Sequence, residues 1–340
     1  MHTTRAIGYS QNHPIDHPDS IIEREIPVPE LGSHDLLVEV RAVSVNPVDV
    51  KVRQGAPANG FKVLGYDASG VVRAVGEGVT LFSVGDEVFY AGQIDKQGTN
   101  QALHTIDERV VGRKPTTLSF TDAASLPLTT ITAWECLFDR LGLTEASRGT
   151  LLIVGATGGV GSVMMQLCEA LLPGVTVIAT ASSPERVAWA LERGAEHTVN
   201  HHADLAAEVL EIAPDGVEWI FTAHSKGQVE TYERIIRPFG HIVAIDDGPT
   251  DVTPLKIKSV AWHWERMFTR SMFQTPDMIE QHHLLNATAA LVDAGKVTAT
   301  TTRVLSPLTS ATVREAHELI ETGRTVGKLV IAVNEQESEH

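Results

Sequence analysis

Cysteine is nearly absent: Cys136 and Cys168 are the only two in 340 residues. Two thiols build neither a disulfide framework nor a multi-cysteine zinc lobe, so a reducing compartment is expected. Positive charge is also in deficit, with 27 Lys and Arg against 43 Asp and Glu and a formal net charge of -16. Such a surface repels phosphate backbones and anionic lipid, which argues against nucleic acid and membranes as partners. Long apolar runs are missing: no stretch approaches the roughly 20 residues that cross a bilayer. Met1-His-Thr-Thr-Arg5 leads into mixed polar sequence with no apolar signal core, so a cytoplasmic protein is expected.

Hydrophobic residues make up 43% and charged residues 21%, a balance that supports a packed core rather than disorder. At roughly 150 residues per domain the length predicts about two domains. The first part, to about residue 125, reads as short strands, with Leu36 to Val45 and Ser69 to Val75 rich in β-branched residues between Gly and Pro punctuation. From Thr150 the character changes. Short apolar runs at Leu151 to Val154, Val175 to Ala179, Trp219 to Phe221 and His241 to Ile245 alternate with helical patterns, a βαβ reading. In the first of those helices Val160, Val163, Met164, Leu167, Cys168 and Leu171 share one apolar face, and Pro173-Gly174 stops it. A later helix is expected to start with Thr275 as N-cap and Pro276 in its first turn, and to end at Gly295. Thr298 to Val333 reads as strand, helix, strand, and the acidic tail Glu335 to His340 is expected to fray.

The most informative stretch is Leu151-Leu-Ile-Val-Gly155-Ala-Thr-Gly158-Gly159-Val-Gly161, an apolar strand running through glycines into an amphipathic helix. Glycines let backbone N–H groups approach a pyrophosphate, and a helix N-terminus presents unpaired donors with about half a positive charge. Ala156 stands where G-x-G-x-x-G has its first glycine, so Ala156-x-Gly158-x-x-Gly161 is a variant dinucleotide fingerprint. The candidate cofactor-binding set is therefore Gly155, Ala156, Thr157, Gly158, Gly159, Val160 and Gly161. The second strand ends in Ala179-Thr-Ala-Ser-Ser-Pro-Glu-Arg186, with no carboxylate to bind the ribose hydroxyls of NAD and repel an extra phosphate. Ser182, Ser183 and Arg186 supply donors there, which favours NADPH. Ser183-Pro184 also reads as a plain helix cap, with Arg186 solvated.

At this point the sequence resembles the medium-chain dehydrogenase/reductase superfamily, in its zinc-free quinone-oxidoreductase-like branch. The resemblance rests on Val43-Ser-Val-Asn46-Pro-Val-Asp49-Val-Lys51, on Leu64-Gly-Tyr66-Asp67-Ala-Ser-Gly70 through Val84-Gly85-Asp86-Glu-Val88, on Pro127-Leu-Thr129-Thr130-Ile-Thr132-Ala-Trp134, on the glycine loop, and on Gly327-Lys328. Trp262-His-Trp-Glu-Arg-Met-Phe268 through Pro276 is similar to a subgroup often labelled zinc-type alcohol dehydrogenase-like. The fold it implies is α/β: a GroES-like β-rich catalytic domain from residues 1–125 and 265–340, and a Rossmann doubly wound parallel-sheet domain from residues 126–264, with an NADPH cleft between them.

The zinc enzymes of the superfamily place ligands at the positions of Asn46 and Tyr66. Neither an amide nor a neutral phenol is a usual zinc ligand, so no metal is expected. The histidine pairs His201-His202 and His282-His283 do not have the i, i+4 spacing of a helical chelate. The resemblance implies that Asn46, Tyr66 and Thr130 surround the nicotinamide and substrate, with Tyr66 as hydrogen-bond donor. It also implies that Thr129 meets the carboxamide and that Lys328 approaches the cofactor. Asp49 and Asp67 are expected to orient neighbours or to pair with Lys51 or Arg53. The aromatics Trp262, Trp264, Phe268 and Phe273 shape either a pocket, a dimer contact or the core.

The expected activity is zinc-independent, NADPH-dependent hydride transfer to a quinone or an activated enone or enal, by a homodimer. Two other readings stand beside it. One is a zinc-dependent alcohol dehydrogenase, disfavoured by Asn46 and Tyr66. The other is a non-catalytic NADPH-binding sensor or structural protein, which a glycine loop alone does not exclude.

Overall fold

The computed structural model describes residues 3–248 and 251–334, so the acidic tail lies outside the described residues. The chain divides into two compact units, Met1–Leu128 with Phe268–His340, and Thr129–Met267.

The first unit is built on the strand Asp35–Val45, whose side chains alternate between buried and half-buried before ending in four consecutive buried residues. Lys328–Ala332 and Ala68–Val75 pair with it antiparallel, with Leu329 opposite Val45 and Ala68 opposite Val43. The full order is Thr301–Leu305, Lys328–Ala332, Asp35–Val45, Ala68–Val75, Glu87–Tyr90, Val111–Arg113, and Leu103–Asp107 also pairs with Asp35–Val45. A smaller sheet joins Ile22–Pro27, Thr3–Tyr9 and Lys62–Val63. This registry brings Ser44 to Asn46, Asp67 and Lys328 to one end of three neighbouring strands, although Lys328 is 282 residues from Asn46 in the chain.

The second unit holds a parallel sheet ordered His197–Val199, Val175–Thr180, Gly149–Val154, Val217–Thr222, Ile236–Ala244, Ala261–Trp264. Numbered along the unit this is 3-2-1-4-5-6, the doubly wound order whose reversal point lies between its first and fourth strands. Leu151, Leu152 and Ile153 are fully buried, as expected of a central parallel strand covered on both faces. The helix Gly159–Leu171 follows and buries Val163, Met164, Leu167 and Cys168 of the predicted face, while Val160 and Leu171 at its ends are half-buried.

The later helix departs from expectation. It begins at Glu280, not at Thr275, because Pro276 to Ile279 form turns, with Met278 N–H bonded to the Thr275 carbonyl at 3.0 Å. The Asp277 carboxylate turns back to Arg270 at 3.0 Å, and the chain enters the helix only after that link. Its end is as expected, with Gly295 at φ +70°.

Candidate functional site

In the second unit, Gly155 leaves the first strand at φ +87° and the helix starts at Gly158, which has no side chain to cap it. Gly155 N–H donates to Thr180 Oγ1 at 3.0 Å, tying the loop to the end of the second strand. The two later glycines have different surroundings. A Cβ on Gly161 would lie 2.5 Å from Ala156 Cα, so that glycine permits the helix to pack on the loop. A Cβ on Gly158 would approach only the Gly155 carbonyl oxygen, at 3.4 Å, leaving its outer side open. An uncapped helix start beside the reversal point, with room over Gly158, fits a dinucleotide pyrophosphate.

Ser183 accepts the Arg186 N–H at 3.3 Å and is the cap of the helix Pro184–Glu192. Arg186 is not simply solvated: its Nη1 donates to Thr157 Oγ1 at 2.7 Å, joining the end of the second strand to the glycine loop. Ser182 precedes the cap, and the stretch from Ala181 to Ser183 carries no carboxylate.

In the first unit a buried polar network gathers around Asp67. Its carboxylate accepts from Ser44 Oγ at 2.8 Å, Asn46 Nδ2 at 2.8 Å, Leu128 N–H at 2.7 Å and Lys328 Nζ at 3.2 Å. Lys328 also donates to the Val45 carbonyl at 3.2 Å and to Asn46 Oδ1. Burial raises the Asp67 carboxyl above the usual range and lowers the Lys328 ammonium, and each charge opposes the shift of the other. Four donors on one carboxylate favour its ionised form, and we read the pair as charged. Asn46 is the N-cap of the helix Pro47–Gly55, yet its amide is turned to Lys328 and Asp67. Asp49 instead accepts the Asn46 N–H at 2.7 Å, and burial pushes its carboxyl up to about 7. Of the alternatives expected for Asp67, it holds its neighbours and pairs with Lys328, while Arg53 pairs with Glu321.

Tyr66 is fully buried, its ring edge-on to Phe268 at 5.4 Å between centroids, and its hydroxyl has no partner. Burial raises its pKa further from neutrality, so it remains a protonated donor. Thr129 and Thr130 lie on the helix Pro127–Trp134, in the second unit, and Thr130 Oγ1 is buried without a partner. Trp262 and Trp264 contact each other at 5.5 Å on the last parallel strand, while Phe273 is exposed.

These donors do not fit a zinc ion. Both atoms of the Asn46 amide are engaged, a cation already sits on Asn46 and Asp67 as the Lys328 ammonium, and Tyr66 is held as a phenol. No three His, Cys, Asp or Glu side chains among the described residues are grouped to hold a metal. His282 has a structural position, bonded to the Val111 carbonyl at 2.6 Å and to Asn286 at 2.9 Å.

Sequence reasoning missed Ser44 and Gln93. Ser44 carried no signal beyond its place between Val43 and Val45, two residues before Asn46. Gln93 follows a glycine in an irregular stretch, yet it is 1% exposed and neither atom of its amide has a partner.

Residues 32–124 match the family described as alcohol dehydrogenase GroES-like domain, and residues 193–331 the family described as zinc-binding dehydrogenase. The zinc-type alcohol dehydrogenase-like protein SAS2087 of Staphylococcus aureus (strain MSSA476) is 39% identical over 320 residues, which is 92% of this chain and 94% of that protein. A solved Rhizobium etli CFN 42 structure, assigned to the zinc-dependent alcohol dehydrogenases, is 47% identical with a TM-score of 0.94 over 98% of both chains. A quinone oxidoreductase from Pseudomonas syringae pv. Tomato DC3000 is 25% identical, with a TM-score of 0.82 over 97% of this chain and 99% of that one.

Proposed function

The chain belongs to the medium-chain dehydrogenase/reductase superfamily, as a quinone-oxidoreductase-like oxidoreductase, and from that premise we propose a zinc-independent, NADPH-dependent reductase of quinones or activated enones and enals. The observation that carries this reading is the Lys328 ammonium seated on Asn46 and Asp67, with Tyr66, the residue before Asp67, carrying a buried hydroxyl that has no partner. The polar groups at the zinc-ligand positions are thus either engaged with an internal cation or free to meet a neutral oxygen.

When bound, the dihydronicotinamide supplies the hydride. Gly159, Val160 and Gly161 offer backbone donors to the pyrophosphate, the Gly158 N–H being already bonded to the Gly155 carbonyl at 3.1 Å, and Arg186, held on Thr157, binds a phosphate on the adenosine ribose. The absence of a carboxylate at Ala181 to Ser183 supports NADPH over NADH. Thr130 Oγ1, buried without a partner, offers a donor to the substrate, and Thr129 is assigned to the carboxamide by the family resemblance. Tyr66 donates a hydrogen bond to the acceptor oxygen as negative charge develops on it, and its raised pKa keeps the proton in place until then. For a quinone the balance is quinone, NADPH and one proton giving hydroquinone and NADP+, with the second oxygen protonated from solvent. The family resemblance supports a cytoplasmic homodimer, and among the described residues no helix is long and apolar enough to cross a membrane.

The test follows NADPH and NADH oxidation in parallel by chelator-treated protein with a small quinone, an enone and an aldehyde. Turnover that prefers NADPH and survives chelation is the expected result. Turnover that returns only with added zinc would overturn the reading of Asn46 and Tyr66, and tight NADPH binding without any turnover would favour a sensor.

A further inference from the structure

Buried polar atoms without partners are few in folded proteins, and each costs about 1–3 kcal/mol unless water or a ligand meets it. Four such atoms belong to Tyr66 and to the loop residues Gln93 and Asn100: the Tyr66 hydroxyl, Asn100 Oδ1, and both ends of the Gln93 amide. Their residues are between 0% and 2% exposed. Backbone hydrogen bonds bring part of this loop to Tyr66. Thr99 N–H donates to the Gly65 carbonyl at 2.9 Å and Asn100 N–H to the Leu64 carbonyl at 2.8 Å, folding this loop back over Gly65. A Cβ on Gly65 would lie 2.4 Å from Asn100 Oδ1, and one on Gly92 would lie 3.3 Å from the Tyr66 ring. Gln93 is therefore one residue from contact with Tyr66.

We infer that Gln93 is a substrate-recognition residue whose amide holds an acceptor oxygen that is a carbonyl before reduction and a hydroxyl after it. The inference rests on the reductase reading and assigns to this site a neutral ring bearing such an oxygen. Nε2 donates to a quinone carbonyl, and Oε1 accepts from the hydroquinone O–H that replaces it. An enone keeps its carbonyl through reduction and leaves Oε1 without a partner, so the amide favours the quinone pair. A carboxylate at this position would accept from the hydroquinone O–H but repel the quinone carbonyl oxygen. Leaving the amide unmatched in the unliganded protein sacrifices stability for recognition.

The test compares wild type with Gln93→Met, which keeps the length and removes both hydrogen-bonding ends; Gln93→Leu is the second variant. Hydroquinone, 2-cyclohexen-1-one and NADPH are titrated calorimetrically, without turnover, and thermal unfolding is measured alongside. We expect hydroquinone affinity to fall about tenfold, the loss of roughly one hydrogen bond. Cyclohexenone affinity falls less, NADPH affinity stays within about twofold, and Tm is unchanged or higher. A structural role would instead lower Tm with ligand affinities intact. Hydroquinone affinity within about twofold of wild type, absence of hydroquinone binding by wild type, or equal losses for both small ligands would overturn the inference. Hydroquinone binding that depends on Gln93 in a protein that never oxidises NADPH would sink the reductase reading and leave this one standing. Quinone turnover with unchanged affinity in the variant would do the reverse.

Discussion

His317 should make the first unit acid-sensitive. It lies on the helix Ser310–Glu321, fully buried, with neither ring nitrogen partnered. Burial lowers its pKa from 6.5 to about 3, and the buried Arg53 guanidinium, itself paired with Glu321, adds to the shift. A folded-state pKa below the unfolded value means that the unfolded chain holds a proton the native state lacks between those two pH values. Stability is then fully present above about pH 6.5 and is lost as pH falls towards 3. At about 1.4 kcal/mol per pH unit, the loss reaches about 2 kcal/mol at about pH 5 and about 5 kcal/mol at the acid limit. His317→Leu removes the titrating group and fills a similar volume. Urea unfolding of both proteins at about pH 7.5 and about pH 5 isolates the effect, because His104, with its pKa lowered to about 4, is common to both. The variant should gain about 2 kcal/mol more over wild type at the lower pH. An equal difference at both pH values would refute the reasoning and require the ring to be partnered or hydrated.

Gly158→Val and Gly161→Val should separate binding from folding: the first keeps Tm near wild type and abolishes NADPH binding, and the second unfolds more easily because its side chain meets Ala156 at 2.5 Å. Arg186→Ala should weaken NADPH by about 1.5–3 kcal/mol and leave NADH unchanged in fluorescence titration; equal effects would detach Arg186 from the ribose phosphate. Lys328→Met should cost about 3 kcal/mol in thermal unfolding, since it strips a cation from a carboxylate in the interior. Tyr66→Phe should lower kcat/KM for the acceptor about 100-fold without changing NADPH affinity; a loss confined to Tm would make Tyr66 a packing residue.

Much of the parallel unit was legible because its strands are buried on both faces and read as unbroken apolar runs. Leu151 to Val154 and Val175 to Ala179 lie inside the strands Gly149–Val154 and Val175–Thr180. The glycine loop was legible for a related reason: its signal is local, from strand to turn to helix. The start of the later helix was misread because Thr275-Pro276 is a valid cap in isolation, whereas the backbone there forms turns, Met278 N–H to the Thr275 carbonyl and Glu280 N–H to the Asp277 carbonyl, before the helix begins. Gln93 was obscure as well, and Lys328, expected near the cofactor, carried no sign of its bonds to Asn46 and Asp67. The destination of the Lys328 ammonium is decided by strand pairing, and Gln93 is buried in a stretch outside any helix or strand, where no periodicity marks an inward face.

Hydrogen-bonding capacity divides the polar residues of the first unit by role. A donor or acceptor already engaged inside the chain does not also meet a ligand unless that bond breaks, at a cost of the order of 1–3 kcal/mol for a charged group. Asn46, Asp67, Ser44 and Lys328 are engaged with one another. Tyr66 and Gln93 are not: the phenol oxygen and both amide atoms are buried and unmatched. We therefore propose positioning roles for Asn46 and Lys328, which fix the strand ends flanking Tyr66, and contact roles for Tyr66 and Gln93. On this division Asn46→Ala should act on stability and on the placement of Tyr66, lowering kcat for every acceptor in proportion. Tyr66 and Gln93 variants should instead change the ranking of acceptors. An Asn46 variant that changed the ranking while keeping Tm would show that the network opens to substrate, and the division would fall.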